Sequence, residues 1–222
     1  MNTMTNGLLK TTEWIMRFSV VNLLWLTFNL PVVLLLLSAI YSDNLSMIMV
    51  FIVTVILSPF LVSPATAAMF AMVRDWILIK EQKSLIRSYW KHYRINYKQS
   101  FIGGFVLTIV WTVLIVDFYY FQQSNVILFF MFLLFVVVLY VYTIIFFSVL
   151  VHYNITLRQV FKNTLSLTLG SPMLFFAILL TSLVILYVSI NSFLFLLLFF
   201  TASLIAFVSF SAFYRLYMRL VN

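Results

Sequence analysis

Arg87, Lys91, Arg94 and Lys98 recur at spacings of four, three and four residues. At about 100° per residue they share one narrow stripe of a helix over 84–101, and Ile86, Tyr89, Trp90, Tyr93 and Tyr97 form a second stripe roughly a third of a turn away. Cations beside amphipathic rings suit a membrane interface, where the rings sit at headgroup depth and the cations reach phosphate. Each such cation near an anionic leaflet contributes on the order of 1 kcal/mol. The chemistry on offer is therefore anion binding. In one reading Arg87, Tyr89, Trp90, Lys91, Arg94 and Lys98 contact a protein partner or anionic lipid. In the other, the helix lies in the interface and only fixes topology. Interleaved basic and aromatic residues also suit nucleic acid, but apolar segments that must enter lipid flank this stretch on both sides.

Little else in the chain could do chemistry. The two histidines, His92 and His152, stand 60 residues apart at the edges of polar loops. No acidic cluster lies near them in sequence, so we read both as interfacial side chains and expect no metal site. Cysteine is absent, which removes disulfides, thiolate sites and catalytic thiols. Of the five acids, Asp75 and Glu81 lie in the basic stretch and Glu13 is alone, so a carboxylate pair has little material. No phosphate-cradling G-x-x-x-x-G-K-[ST] loop, H-E-x-x-H or G-x-S-x-G is present. We expect a non-enzymatic protein with no catalytic residue and no cofactor.

The elements that position the stripe must be lipid-embedded. The 222 residues are 65% hydrophobic and only 8% charged, with a mean hydropathy of +1.15. Soluble domains carry about 25% charged residues, and no water-soluble fold could hide this much apolar surface. We expect an all-α polytopic membrane protein, a single membrane domain over 1–222. It has six transmembrane helices, at about 18–41, 45–72, 101–121, 126–151, 172–190 and 193–214. An interfacial N-terminal helix over 1–17 precedes the first, and a cytoplasmic interfacial amphipathic helix, within 74–100, joins the second to the third.

The first span holds Asn22, Asn29 and Pro31. The two asparagines are seven apart and share a face, which should point at other helices because amides need partners in hydrocarbon. Pro31 should kink that helix. The turn Ser42-Asp43-Asn44 follows, with Asp43 or Asn44 a natural N-cap. From Leu45 to Ile79 is 35 residues, roughly 52 Å as one helix, so a break is expected around Ser58 to Pro64. Ser63 would cap the second half and Pro64 would take its first helical position. Ala65, Thr66, Ala67, Ala68 and Ala71 then permit close helix contact. Asn22, Asn29, Pro59 and Pro64 form a candidate intramembrane polar site, since a broken helix at membrane depth can line a cavity; a packed kink is the plainer reading. Gly103-Gly104 could allow close packing or a bend. Asp117 lies close to the polar turn 122–125, near the outer headgroups.

All 13 Lys and Arg residues fall in four segments: the N-terminus, 74–99, the 152–171 loop and the C-terminus. With six spans these four lie on one side, while the opposite turns hold only Asp43 and Asp117. The positive-inside rule then places both termini in the cytoplasm of a multi-pass cell-membrane protein. The pI of about 9.8 reports the same excess. The two cytoplasmic loops echo one another, each a basic-aromatic helix followed by a glycine, too briefly to establish duplication.

Three stretches carry a resemblance: NLLWLTFNLPVV (22–33), PATAAMFAMVRDW (64–76) and SYWKHYRINYKQSF (88–101). In order and spacing they resemble the YesL-like family of bacterial membrane proteins, a family of unknown function found mainly in Firmicutes. The first half of the chain carries the likeness; the second half matches mainly in hydropathy. The resemblance implies no catalytic residue. It implies genomic company with carbohydrate-uptake transporters and polysaccharide-utilisation genes. The expected function is an accessory or scaffold component linked to carbohydrate uptake, contacting a sugar transporter subunit or anionic headgroups through the basic-aromatic helix. The alternative is a small solute transporter or channel with its site at the broken second helix.

Overall fold

The computed structural model describes residues 2–41, 46–80, 84–121, 126–191 and 194–221, all within or between α-helices. The helices are α1 (Asn2–Phe28), α2 (Leu30–Tyr41), α3 (Met47–Leu57), α4 (Val62–Ile77), α5 (Leu85–Phe121), α6 (Val126–His152), α7 (Leu157–Gly170), α8 (Pro172–Asn191), α9 (Leu194–Phe199) and α10 (Thr201–Val221). The expected cap at Asp43 or Asn44 and the turn at 122–125 lie outside the described residues. So do Glu81, Lys83 and the Ser192 half of the turn between the last two spans.

Helix α4 is the hub. Every residue from Ser63 to Val73 except Thr66 is buried. The run Ala65, Ala67, Ala68 and Ala71 explains this, because methyl side chains let neighbouring backbones approach closely. Helices α1, α5, α6 and α10 pack around it. Outside this core the surface is as apolar as the interior: Ile127 is 79% exposed, Leu134 62% and Val184 62%. A surface of this kind is stable only against lipid. Helices α5, α6, α8 and α10 are each long and apolar enough to cross a membrane, and the bent pairs α1–α2 and α3–α4 raise the number to as many as six. The protein is an all-α, multi-pass membrane protein.

Four boundaries differ from those expected. The N-terminal amphipathic stretch is no separate helix: α1 runs through Arg17 and Phe18 without interruption. Nothing between those residues breaks a helix. The chain instead turns by 70° at Asn29, two residues before Pro31, whose ring opposes the carbonyl four positions earlier. The basic-aromatic helix is likewise continuous with the third span. Helix α5 has 37 residues, roughly 55 Å at 1.5 Å per residue. A rod of that length overshoots the roughly 30 Å hydrocarbon core, so its basic half extends the span and is not a separate helix lying flat. The last span is broken at Phe200, between α9 and α10.

The second span bends by 50° across a turn at 58–61. Its second half starts two residues earlier than expected. Leu61 stands at the N-cap with no side-chain bond, and Pro64 is the third residue of α4. Ser63 does not cap; its amide, like that of Val62, bonds back to the Ser58 carbonyl. Helix α7 begins with a capping box between Thr156 and Gln159, which satisfies the first orphan donors. Its Arg158, Lys162 and Leu165 are exposed, and Val160 and Thr164 are buried.

Candidate functional site

The chemistry concentrates at the last turn of α4, where Arg74 and Asp75 are adjacent. The Arg74 guanidinium donates to Asp75 Oδ1 from Nε at 3.1 Å and from Nη2 at 2.8 Å. Its other nitrogen donates to the Val151 carbonyl at the end of α6. His92 Nε2 lies 2.8 Å from Asp75 Oδ2, and the Lys80 ammonium lies 3.8 Å from Oδ1. One carboxylate, its side chain 11% exposed, therefore ties α4 to α5 directly and to α6 through Arg74. Burial alone would raise the Asp75 pKa. The hydrogen bonds from His92 and Arg74 outweigh it and hold the group down at about 2. The carboxylate has no proton to give at neutral pH, so His92 Nε2 carries the shared hydrogen.

Local backbone geometry delivers Lys80 to this centre. Ile79 adopts a left-handed φ of 53°, and the Lys80 and Ile79 amides bond to the Asp75 and Trp76 carbonyls. This is a Schellman ending to α4, made by a β-branched residue that pays steric strain where glycine is usual. Trp14, Arg17, Trp76, Ile79 and Lys80 line a shallow cleft beside it. His152, at the end of α6, is ringed by Tyr153, Phe210, Phe213, Tyr214 and Tyr217. Neither histidine is the plain interfacial side chain expected: His92 belongs to an ionic cluster and His152 to an aromatic cage. Arg74 thus reaches the end of α6, and Arg17 and Lys80 line the neighbouring cleft.

The basic stripe stands out from this centre. Arg87, Lys91, Arg94 and Lys98 are exposed. Among the described residues none of them enters an ion pair. Arg94 lies over the Trp90 ring at 5.3 Å from its centroid, and Trp90 is 45% exposed. Tyr89 must be withdrawn from the contact surface. It is 1% exposed, and its hydroxyl donates to the Ala65 carbonyl at 2.8 Å. Phe28 stacks on Trp90 and Tyr93. Burial pushes the Tyr89 phenol well above its usual range, so it stays a neutral donor. The sequence did hold the signal. Tyr89, His92, Asn96, Ser100, Gly103 and Leu107, at spacings of three, four, four, three and four, form an inward stripe opposite the cations and continue past Phe101.

The four intramembrane candidates do different jobs. Asn22 is fully buried. Its amide donates to the Leu198 carbonyl at 2.6 Å and its carbonyl accepts from the Ser203 amide at 3.0 Å. It caps both sides of the α9–α10 break, each bond contributing about 1 kcal/mol, while Thr201 Oγ1 reaches Ser189 Oγ and the Leu196 carbonyl. Asn29 is buried at the α1–α2 bend and donates to the Trp25 carbonyl at 2.8 Å, leaving its oxygen without a partner. Pro59, within the second break, and Pro64, just after it, are both buried. There α5 presses in: a Cβ on Gly104 would stand 2.0 Å from Ser63 Oγ and 2.3 Å from Ser63 Cβ, and Phe101 packs on Phe60 at 4.8 Å. A cleft between α3 and α5 opens one turn away and touches the break only at Ser58.

Residues 18–118 match a family described as a protein of unknown function, DUF624. The chain is 30% identical over 110 residues to the uncharacterised protein YteU of Bacillus subtilis, covering 50% of this chain and 39% of YteU. It is 20% identical over 172 residues to the uncharacterised protein YesL of the same bacterium, covering 77% of this chain and 71% of YesL. The chain thus spans about two fifths of YteU. No solved structure matches. These matches bear out the resemblance to a YesL-like family of unknown function. The matched stretch includes Asn22, the whole of α4, the Asp75 centre and the basic stripe.

Proposed function

Taking the chain as a YesL-like membrane protein, we propose that it is a non-enzymatic accessory or scaffold component of carbohydrate uptake. It sits in the cell membrane with both termini in the cytoplasm and presents the basic face of α5 to a sugar transporter subunit or to anionic headgroups. The observation that carries this is the pairing of four exposed cations, none of them in an ion pair among the described residues, with a rigid mount. Arg87, Lys91, Arg94 and Lys98 stand on the outer face of a helix whose inner face is pinned by Tyr89 to α4 and by His92 to Asp75. A stiff display of this kind loses little entropy on docking. Trp90, half-exposed beside Arg94, supplies the apolar anchor that such surfaces favour. The link to carbohydrate rests on the family's genomic company alone. The orientation rests on the one-sided distribution of lysine and arginine. The second reading, a transporter with its site at the broken second helix, has less support, because Gly104 and Phe101 of α5 fill the space at that break.

The test is affinity purification in mild detergent from the native host. Wild-type protein is expected to bring down a transporter subunit. Changing Arg87, Lys91, Arg94 and Lys98 to Gln should cut its recovery about tenfold or more, as loss of several charge-assisted contacts requires. Equal recovery by the four-Gln variant would remove the docking surface from the account.

A further inference from the structure

A second anion-recognising feature lies away from α5, where α8 and α10 meet. Leu174 and Ala177 of α8 face Ala212 and Leu216 of α10 across a groove of about 180 Å³, and Arg215 and Arg219 line the same groove. The two alanines leave the gap. Leu174 is 4% exposed, and the two arginines are exposed, one helical turn apart on α10. An apolar cavity of about 150 Å³ already admits a ring the size of benzene, so this groove has room for a run of acyl methylenes.

The charge balance points to the counter-ion. Among the described residues Glu13 pairs with Arg17, and Asp75 with Arg74, Lys80 and His92. No described ion pair involves Arg215 or Arg219. Two exposed guanidinium groups at the rim of a greasy groove in a lipid-embedded protein complement an anion that carries a hydrocarbon tail. We propose that this groove binds one anionic phospholipid, its acyl chain lying between α8 and α10 and its phosphate held by the forks of Arg215 and Arg219. The planar guanidinium matches two phosphate oxygens at once, and basic pockets between membrane helices favour anionic headgroups for this reason. The site is separate from the α5 surface and does not depend on it.

The experiment is lipid retention by the purified full-length protein. It is equilibrated in mixed micelles of phosphatidylglycerol and phosphatidylcholine, washed in detergent alone, and its bound lipid counted by mass spectrometry. Wild type should keep phosphatidylglycerol in preference to phosphatidylcholine. Arg215→Gln with Arg219→Gln should reduce retained phosphatidylglycerol by about tenfold or more, since each arginine forfeits charge-assisted bonds. Ala177→Leu with Ala212→Leu, which fills the groove and keeps both charges, should lose it as well and decides the matter if the first variant fails to stay folded. The four-Gln variant of α5 should retain lipid like wild type. Equal retention by the arginine and groove-filled variants, equal retention of phosphatidylcholine, or displacement of the lipid by added inorganic phosphate would each overturn the proposal.

Discussion

Asp75→Ala should lower the melting temperature of the detergent-solubilised protein by about 10 °C. Removing one partner of a buried ion pair costs about 3–5 kcal/mol, because the other partner stays desolvated and uncompensated. Here two groups are stranded together, since Arg74 and His92 both direct their donors at this carboxylate. In a chain of this length each kcal/mol moves a melting point by about 2–4 °C. Asp75→Asn keeps the shape and one acceptor and should lose roughly half as much. The double variant Asp75→Ala, His92→Phe should be less unstable than the two single losses summed, with a coupling of about 1–3 kcal/mol; strict additivity would show that the pair does not act as a unit. Acid gives an independent reading. The folded pKa of about 2 lies below the ordinary 3.8, so the carboxylate's contribution is complete above 3.8 and is lost as pH falls from there towards 2. Wild-type thermal stability should drop across that window more steeply than that of Asp75→Asn.

Gly104 should be nearly as sensitive. A single methyl there would overlap both the Oγ and the Cβ of Ser63, at 2.0 and 2.3 Å. The hydroxyl can rotate away, but the Cβ belongs to the rigid α4 start and cannot. Gly104→Ala should cost about 1–3 kcal/mol, the usual penalty of overpacking, and Gly104→Leu should abolish recovery of folded protein. Ser63→Ala should not rescue Gly104→Ala, because the Cβ remains; Ser63→Gly should, apart from glycine's own cost of about 1 kcal/mol in a helix. Gly103→Ala should be milder, since its new methyl meets the tip of the Phe146 ring at 2.4 Å, which can tilt. Thermal unfolding of the purified variants checks the set, and an unchanged Gly104→Ala would mean α5 does not pack into the second break.

These two positions show what the chain states locally and what it hides. The helical class, the presence of several apolar helices long enough to cross a membrane and the hinge at 58–61 are legible because each rests on a local quantity: hydropathy, length, or proline spacing. The small-residue stretch of α4 was legible for the same reason, and its burial matches its composition. The Asp75–His92 pair was not. The partners are 17 residues apart and joined through a turn whose end depends on a left-handed Ile79, which β-branched residues rarely adopt. The need of Asn22 for a helical partner is legible from an amide in an apolar span. Its target, a helix break near Phe200, has no proline or glycine to announce it; the amide of Asn22 itself helps stabilise the break from 175 positions away. The continuity of α5 is hidden because a change from basic to apolar composition marks a change of solvent, which a helix crosses without breaking. Tyr89 borders the outward aromatic stripe in sequence, and only the inward stripe through Ser100 and Gly103 separates the two faces.

The orientation of the charged end carries the whole functional reading, and single-cysteine labelling tests it most directly. The chain has no cysteine of its own, so Arg87→Cys, Arg158→Cys and Tyr119→Cys can each be probed with a membrane-impermeant maleimide. The account predicts that Tyr119→Cys reacts on intact cells and that Arg87→Cys and Arg158→Cys react only after the membrane is opened. Labelling of Arg87→Cys on intact cells, to the extent seen at Tyr119→Cys, would contradict it.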